Sequence, residues 1–340
     1  MMKKITIYPY IAYKEGERAN PYIHDFVEAV ENSGLAVVGN RPSRNPLLSI
    51  LFPRNWGDIT VFNWFESIPD YKYGVLQSLA AVIYVALLKL MRRKVVWILH
   101  NKKSHESDHA RLKKWMGKYI AYMSNLIVTH AEEGLEIVRK QYPHALKKTH
   151  FLHHPTKNRL SGKVVEKQYD FIIWGTITPY KGVKEFLEYL SQNVEWKPSC
   201  YIVGNCPNSA LKKTIRSLAE KNHVIYRAEG LPFDEVRELV DQSRFVLTPY
   251  HSDTILSSGI LMDSLSFGAK VIGPHVGSFK DYAKNQQLQV YTFNTFDDLA
   301  SVLKNHGDEA VSMERYEQFL DQHDWPHYTK NFYSLLFPKI

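Results

Sequence analysis

Two short segments of this 340-residue chain carry residues suited to holding a pair of linked phosphates. In SSGILMDSLSFGAKVIGP, Ser257 to Pro274, three small residues, Ser257, Ser258 and Gly259, precede an apolar stretch that Gly268 stops, and a short buried strand is expected at Lys270 to Ile272. A helix that begins in those small residues has first N–H groups without intrahelical acceptors and presents the positive end of its dipole, a place that suits a diphosphate. Asp263, about one turn further on, points to the same side and can accept from a ribose hydroxyl. In FIIWGTITPYKG, Phe171 to Gly182, an apolar strand enters a polar turn that ends in Lys181, and a helix is expected from Val183 to Leu190. Ligands gather at the carboxyl ends of strands in an open parallel sheet, so one ammonium and one helix start are expected to face the same crevice.

Other polar residues end other strands. VVWILH runs into His100 and Asn101, and FNWFES carries Glu66, a carboxylate that can serve as general base toward an acceptor hydroxyl. Trp64, Phe65 and Tyr22 can stack on a sugar ring or pack in the core. His105, Glu106 and His109 spell H-E-x-x-H, in which two histidines one turn apart hold zinc and the glutamate activates water. Here the motif straddles a loop and the start of a helix, with polar Ser107 and Asp108 inside it, so a zinc peptidase is a remote alternative.

The elements that must position these residues alternate. Strands are expected at Ile5 to Tyr10, Leu35 to Val38, Ile59 to Phe62, Val95 to Leu99, Leu126 to Thr129 and His150 to Leu152. Helices fall between them near Tyr22 to Ser33, Val75 to Met91, Asp108 to Tyr122 and Glu132 to Gln141. Such alternation marks a parallel sheet with crossover helices. Pro155 to Lys167 reads as a linker, and a second alternation runs from Tyr169 to about Asn305. The expected class is α/β: two Rossmann-like parallel-sheet domains facing a central cleft, spanning residues 1–157 and 168–312. A helix in 313–340, broken around Trp325 and Pro326, completes the chain. G-x-G-x-x-G and Walker A sequences are absent, which argues against a nicotinamide dehydrogenase or a P-loop enzyme.

From about Phe171 to Tyr282 the chain resembles, in colinear order, the GT-B glycosyltransferases, in particular the large nucleotide-sugar group with "GR…K-G" and "E-x7-E" motifs. Lys181 and Gly182 match the lysine turn, and DSLSFGAKVI matches "EAMACGTPVI" with Asp263 in place of the second glutamate. YIVGNCP at Tyr201 to Pro207 is similar to "IVGxGP", and Phe233 to Tyr250 to "EVxxLLxxADVFVLPS". Thr176 occupies the arginine position and Ile255 that of the first glutamate, which leaves the donor sugar and the stereochemical course open. The resemblance implies a GT-B fold, in which 313–340 crosses back to the first domain, and transfer of a sugar from a UDP- or GDP-type donor to a hydroxyl of a saccharide or lipid-linked saccharide in surface polysaccharide or glycolipid assembly. It implies donor contacts at Thr176, Lys181, Gly230, Tyr250, Ser257, Ser258, Gly259 and Asp263, with backbone groups near Gly230 and Leu231 reading the base. His100 matches a histidine that reaches the donor sugar. Asn20 and Tyr22 resemble the acceptor-side loop, and Asn101 and His105 are placed with them. His100 or Glu66 is the candidate proton relay. With Lys181 and the Ser258 and Gly259 amides meeting the charge of the leaving diphosphate, no cofactor or bound metal is expected. The loss of the arginine and the glutamate also fits a non-catalytic GT-B-like partner of an active transferase.

Composition bounds the class. An apolar content of 44% suits a large core, and two cysteines, Cys200 and Cys206, argue for a reducing compartment over a disulfide framework. Met1 to Lys4 leads directly into a short apolar strand, so a cytoplasmic location is expected. The longest apolar run, Val75 to Leu88, makes a helix of roughly 21 Å, short of the about 30 Å of a bilayer core, and is read as buried. Net charge is +8, and nine Lys and Arg crowd between Arg92 and Lys118, flanking an apolar stripe through Leu112, Trp115, Tyr119 and Met123. That basic face suits weak peripheral contact with an anionic membrane. Nucleic acid is not an expected partner, because no recognition motif accompanies the charge.

Overall fold

The computed structural model describes residues 2–12, 21–102, 109–162, 165–284 and 288–337. Two compact units emerge. Of the described residues, one contains 2–12, 21–154 and 325–337, and the other 155–324.

In the first unit, strands β1 (Lys3–Tyr8), β2 (Ala36–Val38), β3 (Ile59–Asn63), β4 (Lys94–Leu99), β5 (Leu126–Thr129) and β6 (Thr149–Phe151) alternate with helices. The helices are α1 (Tyr22–Asn32), α2 (Pro46–Leu51), α3 (Gly74–Leu90), α4 (Ala110–Met123) and α5 (Glu132–Gln141). The strands form one parallel sheet in the order β2-β1-β3-β4-β5-β6. Neighbouring side chains on a strand point to opposite faces. Val96 and Ile98 of β4 therefore join Phe26 and Val30 of α1 in one core, while Trp97 turns to the other face and packs on Tyr142.

The second unit contains β7 (Tyr169–Trp174), α6 (Val183–Gln192), β8 (Cys200–Val203), α7 (Ser209–Lys221), β9 (Ile225–Arg227) and α8 (Phe233–Asp241). It continues with β10 (Ser243–Leu247), α9 (Gly259–Ser266), β11 (Val271–Pro274), α10 (Gly277–Lys284), β12 (Val290–Phe293), α11 (Asp298–His306) and α12 (Met313–Gln322). Its parallel sheet has the order β12-β11-β10-β7-β8-β9. Both faces are covered. Ile172, Val203 and Val246 pack under α8, α9 and α12, whereas Phe171, Ile202 and Phe245 pack under α6 and α7. Burial on both sides explains why these strands read as continuous apolar runs.

The segment 313–340 forms two helices: α12 packs in the second unit through Tyr316 and Phe319, and α13 (Trp325–Leu336) in the first beside α1. Two expectations are corrected. Pro155 to Lys167 is anchored in part, since Thr156 is buried, the Arg159 N–H donates to Ser266 O at 3.1 Å and Leu160 packs on the core. The Val75 to Leu88 run is not wholly buried, because its Val75, Leu76 and Leu79 are 57%, 68% and 57% exposed. None of the helices formed by described residues is long and apolar enough to cross a membrane.

Candidate functional site

In the second sheet, β7, β8 and β9 run outward in one direction and β10, β11 and β12 in the other, so the strand order reverses between the neighbours β7 and β10. The chain leaving each of these two strands must diverge there, and the gap at their carboxyl ends is the standard ligand crevice of such sheets. The lysine turn follows β7, and the small-residue loop follows β10.

Close backbone approach joins the two loops. Gly182 has φ +65°, and a Cβ there would meet Pro249 O at 1.8 Å, so glycine is required by both conformation and space. The His251 N–H donates to Tyr180 O at 3.0 Å. At Gly175, directly after β7, a Cβ would lie 2.4 Å from Ile260 Cδ1 and 3.7 Å from Lys181 Nζ. The ammonium and the first turn of α9 thus meet over the end of one strand.

Lys181 Nζ lies 5.5 Å from the centroid of the Tyr250 ring. Ser258 caps α9, its Oγ accepting from Leu261 N at 3.2 Å. The amides of Gly259 and Ile260 have no acceptor among the described residues. Lys181 has neither a hydrogen-bonding partner for its ammonium nor an ion pair among those residues, and burial lowers its pKa to about 8. A desolvated cation near a helix start whose first amides are unbonded suits an anion.

The other residues expected at the donor site are distributed differently. Asp263 pairs with Arg159 Nη1 at 3.3 Å and accepts from Thr156 Oγ1 at 3.2 Å. Arg159 also donates to Ser266 Oγ at 3.1 Å, and its guanidinium lies 4.4 Å from the Phe233 centroid. Thr176 is half-buried in the turn after β7, and Ser257 is half-buried before the cap. Gly230 follows the edge strand β9, with two sheet positions between it and β10.

In the first unit, His100 is buried at the end of β4. Asn63 donates to Tyr8 O at 3.1 Å, so its Oδ1 is the acceptor for His100 Nε2 at 2.8 Å. This bond places the proton of neutral His100 on Nε2 and the lone pair on Nδ1. Burial, with His130 and His154 close by, holds the His100 pKa well below the ordinary histidine value, so the ring is neutral near pH 7. Trp64 stacks on it at 4.5 Å, and Tyr22 meets it edge-on at 5.2 Å. The Tyr22 hydroxyl lies 3.0 Å from His130 Nε2, whose Nδ1 donates to Leu152 O at 2.9 Å. Asn101 follows His100 half-buried.

Glu66 is not part of this cluster. Its Oε2 accepts from Trp97 Nε1 at 3.2 Å, and burial raises its pKa. Trp97 packs on Tyr142 on one face of the sheet, whereas His100, just past the end of β4, meets Tyr22 of the core on the other. That separation removes the basis for pairing them as alternative relays at one acceptor hydroxyl. Asn20, His105 and Glu106 lie outside the described residues, and His109 stands at the N-cap of α4.

Asn63, His130, His154, Thr156 and Arg159 had escaped sequence reasoning. Asn63 carries a usable signal, a polar residue closing an apolar strand, whereas Arg159 sits among polar residues that read as linker.

Comparison with family models and with curated protein sequences returns no match. Solved structures do match. HepE of Anabaena in complex with UDP superposes with a TM-score of 0.63 at 12% identity, over 98% of this chain and 99% of that one. The lipopolysaccharide outer core galactosyltransferase WaaB, in its apo form, gives 0.62 at 14% identity over 99% and 100%. TarM of S. aureus, with UDP among its ligands, gives 0.60 at 10% identity over 82% of this chain, which spans only 55% of TarM. With two units, each built on a parallel six-stranded sheet, and with these neighbours, the chain has the GT-B fold.

Proposed function

We propose that this protein is a glycosyltransferase that moves a sugar from a nucleoside-diphosphate donor to a hydroxyl of a saccharide or lipid-linked saccharide, in surface polysaccharide or glycolipid assembly. One observation carries the reading: a half-buried lysine cation without an acidic partner among the described residues lies near the open amides of α9 at the switch point of the second sheet. Neighbours of the same fold that hold UDP or UDP-glucose support it.

In the transfer, an acceptor oxygen bonds to the anomeric carbon while the bond from that carbon to the diphosphate oxygen breaks. The electron pair stays on the diphosphate and the hydroxyl proton leaves. Lys181 and the Gly259 and Ile260 amides stabilise the growing charge on the leaving group, a role that elsewhere falls to a metal ion, and on this reading no metal is required. Asp263, oriented by Arg159, holds the ribose. Gly230, Thr176 and Ser257 complete the donor contacts. His100 contacts the donor sugar and is the candidate proton relay, with Tyr22 and Asn101 on the acceptor side. The enzyme works in the cytoplasm, in peripheral contact with a membrane.

Incubation with UDP-, GDP-, CMP- and dTDP-sugars in the presence of a chelator should release nucleoside diphosphate from one donor class. Absence of both release and nucleotide binding across the panel would instead favour a non-catalytic partner of an active transferase.

A further inference from the structure

The apolar exposure on α3 is organised. At about 100° per residue, Val75, Leu76, Leu79, Ile83, Leu87 and Leu90 fall within one arc of about 120°, and all are exposed. The opposite arc, which includes Ser78, Ala81, Val85 and Leu88, is buried against the unit. No polar side chain interrupts the exposed arc. A helix with apolar residues on every side needs an apolar covering on its outer face as well.

Its surroundings indicate what covers it. α4 lies alongside, with the Tyr119 hydroxyl donating to Val82 O at 2.8 Å, and presents exposed Trp115 and Tyr122 interleaved with exposed Arg111, Lys114 and Lys118. Across 71–102 and 109–131 there are ten Lys and Arg and no Asp or Glu; Lys113 and Lys102 are paired with Asp70 and Glu133 beyond those bounds, and the other eight, exposed Arg111, Lys114 and Lys118 among them, have no acidic partner within them. A protein partner with a matching apolar face would not call for so one-sided a charge, whereas an anionic leaflet offers hydrocarbon beneath a sheet of negative headgroups. Tryptophan and tyrosine at the boundary suit the headgroup level.

We propose that α3 is an interfacial membrane anchor: it lies flat in an anionic leaflet with the arc from Leu76 to Leu90 in the acyl boundary and α4 contacting the headgroups. At 17 residues, roughly 25 Å, it is too short to span and has one face committed to the unit. The proposal deepens the membrane contact given above by naming the surface, and it does not depend on sugar transfer.

The test is co-sedimentation of the full chain with phosphatidylcholine vesicles, alone or with about one part in three phosphatidylglycerol. Wild type should bind the mixed vesicles and leave the neutral ones largely unbound, and should be released at about 1 M salt, where the Debye length is about 3 Å. The variant L76S/L79S/L90S, altered only at exposed positions, should bind at least about 100-fold more weakly while keeping its melting temperature and its rate of nucleotide release in solution. A second readout uses an environment-sensitive dye on L79C, since native Cys200 and Cys206 are buried; its emission should shift to the blue on anionic vesicles. Equal binding of neutral and anionic vesicles, retained binding by the triple variant, or a wild-type dimer that the triple variant abolishes would each overturn the proposal. Loss of nucleotide release with intact vesicle binding would count against the transferase reading alone.

Discussion

Lys181→Met removes the cation from the proposed diphosphate site while keeping the volume of the side chain, and it separates stability from binding. Burial lowers the amine from its ordinary 10.5 to about 8. At 1.36 kcal/mol per decade, that difference corresponds to about 3 kcal/mol carried by the ligand-free protein to keep the ammonium charged. Below about pH 8 the ammonium is charged in both folded and unfolded chains, and the cost is present in full. Between about pH 8 and 10.5 the folded state loses its proton first, so the cost fades as pH rises. Lys181→Met should therefore raise the melting temperature of the ligand-free protein at pH 7 and lose that advantage toward pH 10. Nucleotide binding should move the opposite way. A charged hydrogen bond to phosphate contributes about 1.5–3 kcal/mol, so the variant should bind uridine diphosphate about 10- to 150-fold more weakly. With a pKa of about 8, the charged fraction in the free protein falls about tenfold between pH 7 and pH 9, and wild-type affinity should fall by the same factor. Titration calorimetry across that range reads both effects. An unchanged dissociation constant for Lys181→Met, or a wild-type affinity flat to pH 9, would refute the clamp.

Gly182→Ala places a Cβ against Pro249 O at a left-handed φ, so a loss of about 1–3 kcal/mol is expected together with weaker nucleotide binding; equilibrium denaturation and titration measure the pair. Asp263→Asn breaks the ion pair with Arg159 at a cost of about 1 kcal/mol and should narrow the preference for a ribonucleotide over its deoxyribose counterpart. Equal losses for both nucleotides would count against ribose contact. Glu66→Gln should leave transfer within about twofold, because the carboxyl faces Trp97 and lies across the sheet from His100. Burial raises the Glu66 pKa, so its contribution to stability is full below the unfolded value and is lost as pH climbs through the folded one. The Gln variant should accordingly melt at or above wild type at pH 7, with the gap closing in acid, as followed by thermal scans over pH.

Short-range chemistry was open to reading from the chain. Small residues before an apolar run announce a helix start, and a polar turn after an apolar strand announces a sheet edge, because each depends on neighbours within a few positions. Lys181 and the Ser258 helix could be named for that reason, and so could the two alternations of strand and helix. The contacts that define the sites join distant positions: Asp263 meets Arg159 across 104 residues, His100 meets Asn63 across 37, and Tyr22 meets His130 across 108. Strand order sets such pairings, and nothing in a strand's own composition specifies its neighbour. The same holds for Glu66 and His100, which lie beyond the ends of adjacent strands yet pack against opposite sides of the sheet. It holds as well for α3, where an apolar run looks alike whether a core covers all of it or half. Local sequence determined which elements form and where their polar ends lie; the packing of one element on another decided which of those ends meet and which apolar face was left uncovered.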